Sequence, residues 1–287
     1  MPELPEVETI KNELLPYVMG HTITDVAVFW DKTVRQPSLE EFRSRIKGQK
    51  ITGLSRRAKY LIFSLSDGEV LVLHLRMTGS LLVKPVSSDP DKFDRAIIYL
   101  DGDTALHFRD PRKMGRIWLA ADANTVLPEL GPEPLSPEFT AEVLRQRLSQ
   151  RSAPIKAILI DQEFIAGIGN MYADEALFAA RIHPLRPANS LSRAEVNRLY
   201  RAIQRILCAA IVNKGASVEN YYRPSGELGT AHYQFQVAHR LGGERCPVCG
   251  TPIERIAVRN RGTYFCPKCQ PLLTIGKQKK GVKDEHR

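Results

Sequence analysis

Residues 58–75, AKYLIFSLSDGEVLVLHL, decide how the first half of the chain folds. Two apolar runs flank Asp67-Gly68, a dipeptide that favours a tight hairpin turn. Two further stretches have the same character. TITDVAVFW (22–30) is one, and AIIYLDGDTALHF (96–108), broken at Asp101-Gly102, is the other. Several short hairpins in succession predict a β-sandwich or a partly open barrel over residues 1–126.

Upstream of these strands the chain reads MPELPEVETI (1–10). Val7, Ile10, Leu14 and Val18 recur at helical spacing. Pro5 suits a first turn, Glu6 and Glu8 suit the positive end of a helix dipole, and Gly20 suits the stop. Capping gives Pro2 and Glu3 nothing to do.

Downstream, LPELGPEPLSP (127–137) interrupts the pattern with four prolines and reads as a linker. Beyond it, over 138–240, the period becomes helical. Ser192 and Glu195 form a capping-box pattern. Val196, Leu199, Ile203, Ile206, Leu207 and Ile211 form the expected buried face, ending at Gly215. Cys208 lies beside that face and is expected in the core. Residues 214–240 are polar, aromatic and without a period, as a long functional loop would be. Residues 275–287 read as a disordered basic tail.

The 287 residues are 43% hydrophobic and 25% charged, the composition of a soluble globular protein. No run approaches the roughly 18 apolar residues of a membrane span, and no signal-peptide pattern precedes the fold. A cytoplasmic location without membrane contact is expected. Net charge is +9; the final GKQKKGVKDEHR has five Lys/Arg and two acids, leaving +6 for the body. Such a balance suits a polyanionic partner, or simply a soluble basic protein.

Of five cysteines, four occur as Cys246-x2-Cys249, sixteen residues, Cys266-x2-Cys269. Each short pair lets two thiolates meet one tetrahedral zinc, and the hairpin between them returns the second pair. All four ligands being cysteine, no position is left for a catalytic water, so the zinc is structural. Within this span RIAVRNRGTYF (255–265) reads as two strands around a basic turn. Arg255, Arg259 and Arg261 there suit phosphates or a groove, although a solvent-facing hairpin would look alike.

Taken together, MPELPEVET (1–9), RRAKYL (56–61), HLRMTGSL (74–81), DPRKMG (110–115), LGPEPL (130–135), DQEFIAGIGNMYADEALFAARIHP (161–184) and RGTYFCPKCQ (261–270) carry a resemblance. In that order they resemble the formamidopyrimidine-DNA glycosylase family, bacterial enzymes that excise oxidised bases. The resemblance implies an α+β multidomain protein. Its parts are an N-terminal β-sandwich with an N-terminal helix (1–126), a helix–two-turns–helix domain (138–240) and a C-terminal four-cysteine zinc finger (241–274). The implied partner is double-stranded DNA containing oxidised bases or abasic sites. Nothing demands an oligomer, so a monomer is expected, associated with the bacterial nucleoid.

The implied reaction is base excision coupled to abasic-site lyase chemistry. With Met1 removed, Pro2 would carry a free secondary amine; α-amines titrate near pH 8, far below lysine. A neutral amine can attack C1′ of a deoxyribose, expel the base and become an iminium. By resemblance Glu3 does the acid/base work and Glu6 positions the site. Lys59, His74, Asn170 and Arg261 hold phosphates, Lys59 and Arg261 at the catalytic centre. Asn170, which follows the GIG turn, would alternatively be the N-cap of its own helix.

Met77 and Arg112 match residues that fill the space left by an everted nucleotide. Met114 stands where the family usually has phenylalanine. Lys156 matches a position on the lesion side. The chain also departs from the family's usual VYGR, reading VAHR with Ala238 and His239. The substrates implied are formamidopyrimidines and 8-oxoguanine. A relative preferring oxidised pyrimidines, or a non-catalytic zinc-finger DNA-binding paralogue, are the alternatives.

Overall fold

In a computed structural model, residues 2–218, 220–239 and 243–272 are described; the expected tail at 275–287 lies outside them. Helix α1 (Leu4–Val18) opens the fold. Its Val7, Ile10, Leu14 and Val18 are all fully buried, each contributing roughly 1.5–3 kcal/mol of transfer free energy. The chain leaves the helix through Gly20 in the left-handed region, φ +81°.

The sandwich is built of two sheets. Strands β1 (Ile23–Val28), β6 (Ser80–Lys84), β7 (Asp94–Leu100) and β8 (Ala105–Arg109) form one, in the order β1-β7-β8-β6. Strands β2 (Val34–Gln36), β3 (Ile51–Arg57), β4 (Tyr60–Leu65), β5 (Val70–His74) and β9 (Arg116–Ala120) form the other, in the order β2-β9-β5-β4-β3. All pairings are antiparallel except β2 with β9. The hairpins expected at Asp67-Gly68 and Asp101-Gly102 are β4–β5 and β7–β8. Helix α2 (Leu39–Ile46) adds Phe42 and Ile46 to the core.

The second half is helical: α3 (Ala141–Ser149), α4 (Ile155–Leu159), α5 (Asn170–Ala180) and α6 (Arg193–Val212) share one apolar cluster. The Ser192/Glu195 capping box is formed. On α6, Val196, Leu199, Ile203 and Leu207 are buried, whereas Ile206 and Ile211 are only partly covered. Cys208 is exposed, not in the core. One residue past Leu207 is a 100° turn of the helix, enough to carry it off the apolar stripe.

Between the halves, residues 127–137 form no regular element but are tied down. Gly131 N–H donates to the Gln162 carbonyl (2.8 Å) and Ala166 N–H to that of Pro132 (3.0 Å). A Cβ at Gly131 would stand 2.6 Å from the Phe164 carbonyl carbon, so only glycine permits this approach. The irregular stretch after α6 returns to the sandwich: Tyr221 joins its core, and Val83 N–H donates to the Pro224 carbonyl (2.9 Å). Strands β10 (Glu254–Val258) and β11 (Arg261–Phe265) form the final hairpin. The fold is thus an N-terminal β-sandwich with its helix, a helix–two-turns–helix domain and a C-terminal four-cysteine finger. Among the described residues no helix is long and apolar enough to cross a membrane.

Candidate active site

Pro2 and Glu3 lie at the junction of the halves, and Glu3 does have a capping role after all, as the N-cap of α1 with its N–H taken by Glu6. Pro2 is buried. Glu3 is 2% exposed, and its carboxylate accepts N–H groups from Gly169 (2.6 Å) and Met171 (3.0 Å) at the start of α5. A carboxylate at a helix N-terminus is favoured by the dipole and the unpaired N–H groups there. The GIGN turn (167–170) is shaped for this. Leu4 N–H donates to the Gly167 carbonyl (3.0 Å), and a Cβ on Gly169 would meet the Glu3 carboxyl carbon at 2.4 Å.

Glu6 lies beneath, fully buried, and accepts from Glu3 N–H (2.7 Å), Tyr172 O–H (2.5 Å) and Ala216 N–H (2.8 Å). Burial, and then the neighbouring charge of Glu3, push its pKa up to about 7 against the pull of those hydrogen bonds. Glu6 therefore joins α1, α5 and the loop after α6 at one point.

Lys59 projects from the β3–β4 turn, where Ala58 takes φ +52°. It is 6% exposed and donates from Nζ to the Ile168 carbonyl (3.1 Å). Burial lowers its pKa, Glu3 and Glu6 draw it back up, and Arg261 lowers it further. Glu133 fixes this turn, accepting from Ala58 N–H (2.6 Å), Arg57 (2.9 Å) and Arg56 (2.8 Å).

The finger hairpin closes another side. Arg259 and Asn260 both have positive φ, 47° and 58°, the pattern of a tight hairpin turn, and Arg261 begins β11. Asn170 is the first helical residue of α5 and Gly169 its N-cap, so Asn170 does not cap its own helix. Its Nδ2 instead donates to the Gly262 carbonyl (2.7 Å), leaving Oδ1 buried without a partner. Glu3, Lys59, Met77, Asn170 and Arg261 line a cavity of about 320 Å³, together with His239.

His74 ends β5, its ring edge-on to Tyr60 at 4.4 Å. Burial above all, then Arg76 and Lys59, lower its pKa to about 3. Because Nδ1 accepts the Arg76 N–H (3.0 Å), the neutral ring keeps its proton on Nε2 and can donate there. Met77 and Arg112 meet, Arg112 Nη1 lying 3.5 Å from the Met77 sulfur. Met114 is half-buried on the same turn as Arg112. Asp110, fully buried, shapes that turn by accepting N–H groups of Arg112 (3.2 Å), Met114 (2.6 Å) and Gly115 (2.7 Å). It also accepts the Thr78 hydroxyl, one residue from Met77.

Lys156 departs from expectation. It is fully buried and lines no part of the cavity, with Nζ on Asp174 (2.5 Å) and on the Asn170 carbonyl (2.7 Å). Burial lowers the Lys156 pKa and raises that of Asp174, to about 7, while their attraction opposes both. Asp174 also accepts Tyr264 N–H (3.2 Å). Lys156 thus braces α5 and the finger strand from behind instead of facing a lesion.

The sulfurs of Cys246, Cys249, Cys266 and Cys269 all lie within 4.8 Å of one another, with Cys249 and Cys266 3.4 Å apart and Cys246 and Cys269 3.9 Å apart. Ligands about 2.3 Å from a tetrahedral zinc stand roughly 3.8 Å apart, so this donor set fits one Zn2+. Phe178, Val237 and Ile253 pack against the cysteines.

Asp110, Glu133, Asp174 and Tyr172 carry the site yet were not singled out from the sequence. All four stand inside stretches that carry the resemblance: Asp110 in DPRKMG, Glu133 in LGPEPL, and Tyr172 and Asp174 in residues 161–184.

Family models match the chain in three consecutive pieces. They are the formamidopyrimidine-DNA glycosylase N-terminal domain over residues 1–117, the H2TH domain of the same enzymes over 130–221, and the zinc finger found in FPG and IleRS over 243–272. A formamidopyrimidine-DNA glycosylase of Chloroflexus aurantiacus is 46% identical over 273 residues, spanning 94% of this chain and 98% of that protein. Among solved structures, MutM (Fpg) of Thermus thermophilus is similar with a TM-score of 0.84 at 40% identity, covering 94% of this chain and 98% of its own. Lactococcus lactis Fpg in complex with abasic-site DNA gives a TM-score of 0.87 at 35% identity, covering 94% and 100%.

Proposed function

The chain belongs to the formamidopyrimidine-DNA glycosylase family, and from that premise we propose that it excises oxidised purines from duplex DNA and cuts the strand at the abasic site formed. The substrates are formamidopyrimidines and 8-oxoguanine, met on the chromosome in the bacterial cytoplasm. Lactococcus lactis relatives bind DNA containing an abasic site or Fapy-dG, and the same partner is proposed here.

The observation that carries this reading is the seat of Glu3. Two backbone N–H groups fix its carboxylate beside Pro2, at the edge of a cavity lined by Lys59 and Arg261. With Met1 removed, the Pro2 nitrogen attacks C1′ of an everted nucleotide, the bond from C1′ to the base breaks, and the sugar opens as an iminium. Glu3 protonates the ring oxygen and then takes part in proton transfers during elimination. The iminium acidifies the C2′–H bond; its loss expels the 3′ phosphate, and a second elimination expels the 5′ phosphate.

Lys59, Arg261, Asn170 and the Nε2–H of His74 hold the phosphates flanking the lesion. Met77 and Arg112 enter the vacated stack, with Met114 in place of a flat aromatic ring. Methionine can wedge between bases but cannot stack as a ring does. One Zn2+ on Cys246, Cys249, Cys266 and Cys269 cross-links the finger and takes no part in the reaction. The working units are the sandwich (1–126), the helical domain (138–240) and the finger (241–274), joined by 127–137.

Borohydride trapping on duplexes with single lesions tests this reading. A covalent adduct through Pro2 is expected with an oxidised purine opposite cytosine. Protein with a processed N-terminus that traps on no lesion and no abasic site refutes it. Trapping chiefly on oxidised pyrimidines refutes the choice of substrate alone.

A further inference from the structure

On α6, Ile206 is only partly covered because it floors a hollow between that helix, α5 and residues 231–236. Phe178 and Phe235 wall the hollow, the small side chains of Ala179, Ala209 and Ala210 leave it open, and its volume is about 250 Å³. A second hollow of about 210 Å³ adjoins it, sharing Ala179 and Arg205, and is rimmed by Arg198 and Arg201. The three arginines recur at positions i, i+3 and i+7, so they stand in a row on one face of the helix. All three are exposed, and none is paired with a carboxylate among the described residues. Arg198 Nε donates to the Ala180 carbonyl (3.3 Å), which anchors one end of the row.

This groove is separate from the site at Glu3. Neither hollow shares a lining residue with that cavity. Ala179 lies nine residues after Asn170 on α5, roughly 13 Å away by helical rise.

A row of guanidiniums calls for acids, and the apolar hollow beside it calls for a side chain. Phe178 and Phe235 are 7% and 8% exposed, so they form walls that a side chain enters and not a platform on which bases stack. The carboxylate of Glu175, in the same wall, already holds the N–H groups of Gln236 (2.9 Å), Val237 (2.8 Å) and Ala238 (2.8 Å). Nucleic acid would use the arginines and leave the hollow empty.

We infer that this groove binds an acidic segment of a partner protein, with an aromatic side chain seated between Phe178 and Phe235 and carboxylates on Arg198, Arg201 and Arg205. From Arg198 to Arg205 is roughly 10 Å along the helix, the length of about three extended residues. Because the groove lies toward the end of α5 remote from Asn170, the protein can hold this partner and DNA at once.

The test measures fluorescence anisotropy of two fluorescein-labelled peptides on full-length, zinc-loaded protein. One carries four aspartates before a phenylalanine, the other the reverse order. At least one should bind with a Kd well below roughly 1 mM. Replacing its phenylalanine by alanine should weaken binding about 10-fold. Arg201→Glu/Arg205→Glu should do the same, and Ala209→Leu, which fills the hollow, should weaken binding about 5-fold. Both variants should keep the wild-type Tm within about 4 °C and bind abasic-site duplex within about 2-fold of wild type.

Equal binding of the alanine peptide would make the row a general surface for polyanions, nucleic acid included, and overturn the inference. Displacement of the peptide by a tetrahydrofuran duplex would place it in the DNA cleft, with the same consequence. So would wild-type affinity in both variants, or no binding of either peptide at roughly 1 mM protein.

Discussion

Replacing Glu6 by glutamine should change how folding stability depends on pH. In the folded protein Glu6 is fully buried beside Glu3. Burial, then the Glu3 charge, raise its pKa from 4.5 to about 7. Unfolding returns it to water and to the ordinary carboxylate value, so the unfolded chain ionises first as pH rises. Stability associated with this group is therefore fully present below pH 4.5 and is lost as pH rises to about 7. At 1.36 kcal/mol per pKa unit, the full loss is roughly 3 kcal/mol, most of it between pH 5 and 7. Glutamine cannot ionise, and its variant should lack this loss.

Urea denaturation at pH 5, 6, 7 and 8, with zinc present, measures the difference between the two proteins. His74 works in the opposite direction, its stabilisation fading as pH falls from 6.5 toward 3, but it is common to both and cancels. At pH 5 wild type should be the more stable, because the glutamine side chain can present an amide N–H where Glu3 N–H needs an acceptor. That advantage should shrink by about 2–3 kcal/mol by pH 8. A difference that stays constant across the four pH values, within about 0.5 kcal/mol, would show that Glu6 titrates as an ordinary carboxylate and refute the reasoning.

Three further perturbations read other parts of the site. Gly169→Ala sets a Cβ 2.4 Å from the Glu3 carboxyl carbon, so Glu3 must leave its seat. Borohydride trapping should fall by at least 10-fold, and wild-type trapping would contradict the role given to that seat. Lys156→Met leaves Asp174 buried without its cation and should destabilise by about 3–5 kcal/mol, with most of the loss recovered in Lys156→Met/Asp174→Leu; denaturation of both variants decides. Stripping zinc with a chelator should abolish binding to abasic-site duplex in a gel-shift assay. Tight binding by protein shown to be metal-free would refute the role of the finger.

What was legible in the sequence had local causes. Asp67-Gly68 and Asp101-Gly102 announced two hairpins, Val7 to Val18 announced a buried helix face, and the cysteine spacing announced a four-sulfur cluster. Each signal operates within a few residues, the range over which turn geometry, helical period and chelation act. The contacts that make the site span the chain. Gly169 N–H reaches Glu3 across 166 residues and Ala216 N–H reaches Glu6 across 210, so nothing local encodes them. The seat of Asn170 is an intermediate case: the turn before the helix was readable, but the choice between its own helix and Gly262 was not.

The burial of Lys156 did have a readable cause in NMYADEALFAA (170–180). A helix that is apolar on nearly every side is buried on nearly every side, and nine of the eleven residues of α5 are. Two adjacent carboxylates in such a helix cannot both face water, and a buried carboxylate needs a cation or converging N–H donors. Asp174 has Lys156 and Tyr264 N–H; Glu175 has the N–H groups of residues 236–238. A buried Asp174 demands a cation inside the protein, and the lysine of PIKAIL supplies it. Resemblance located Lys156 in the family pattern, but only burial specifies which way its charge is turned.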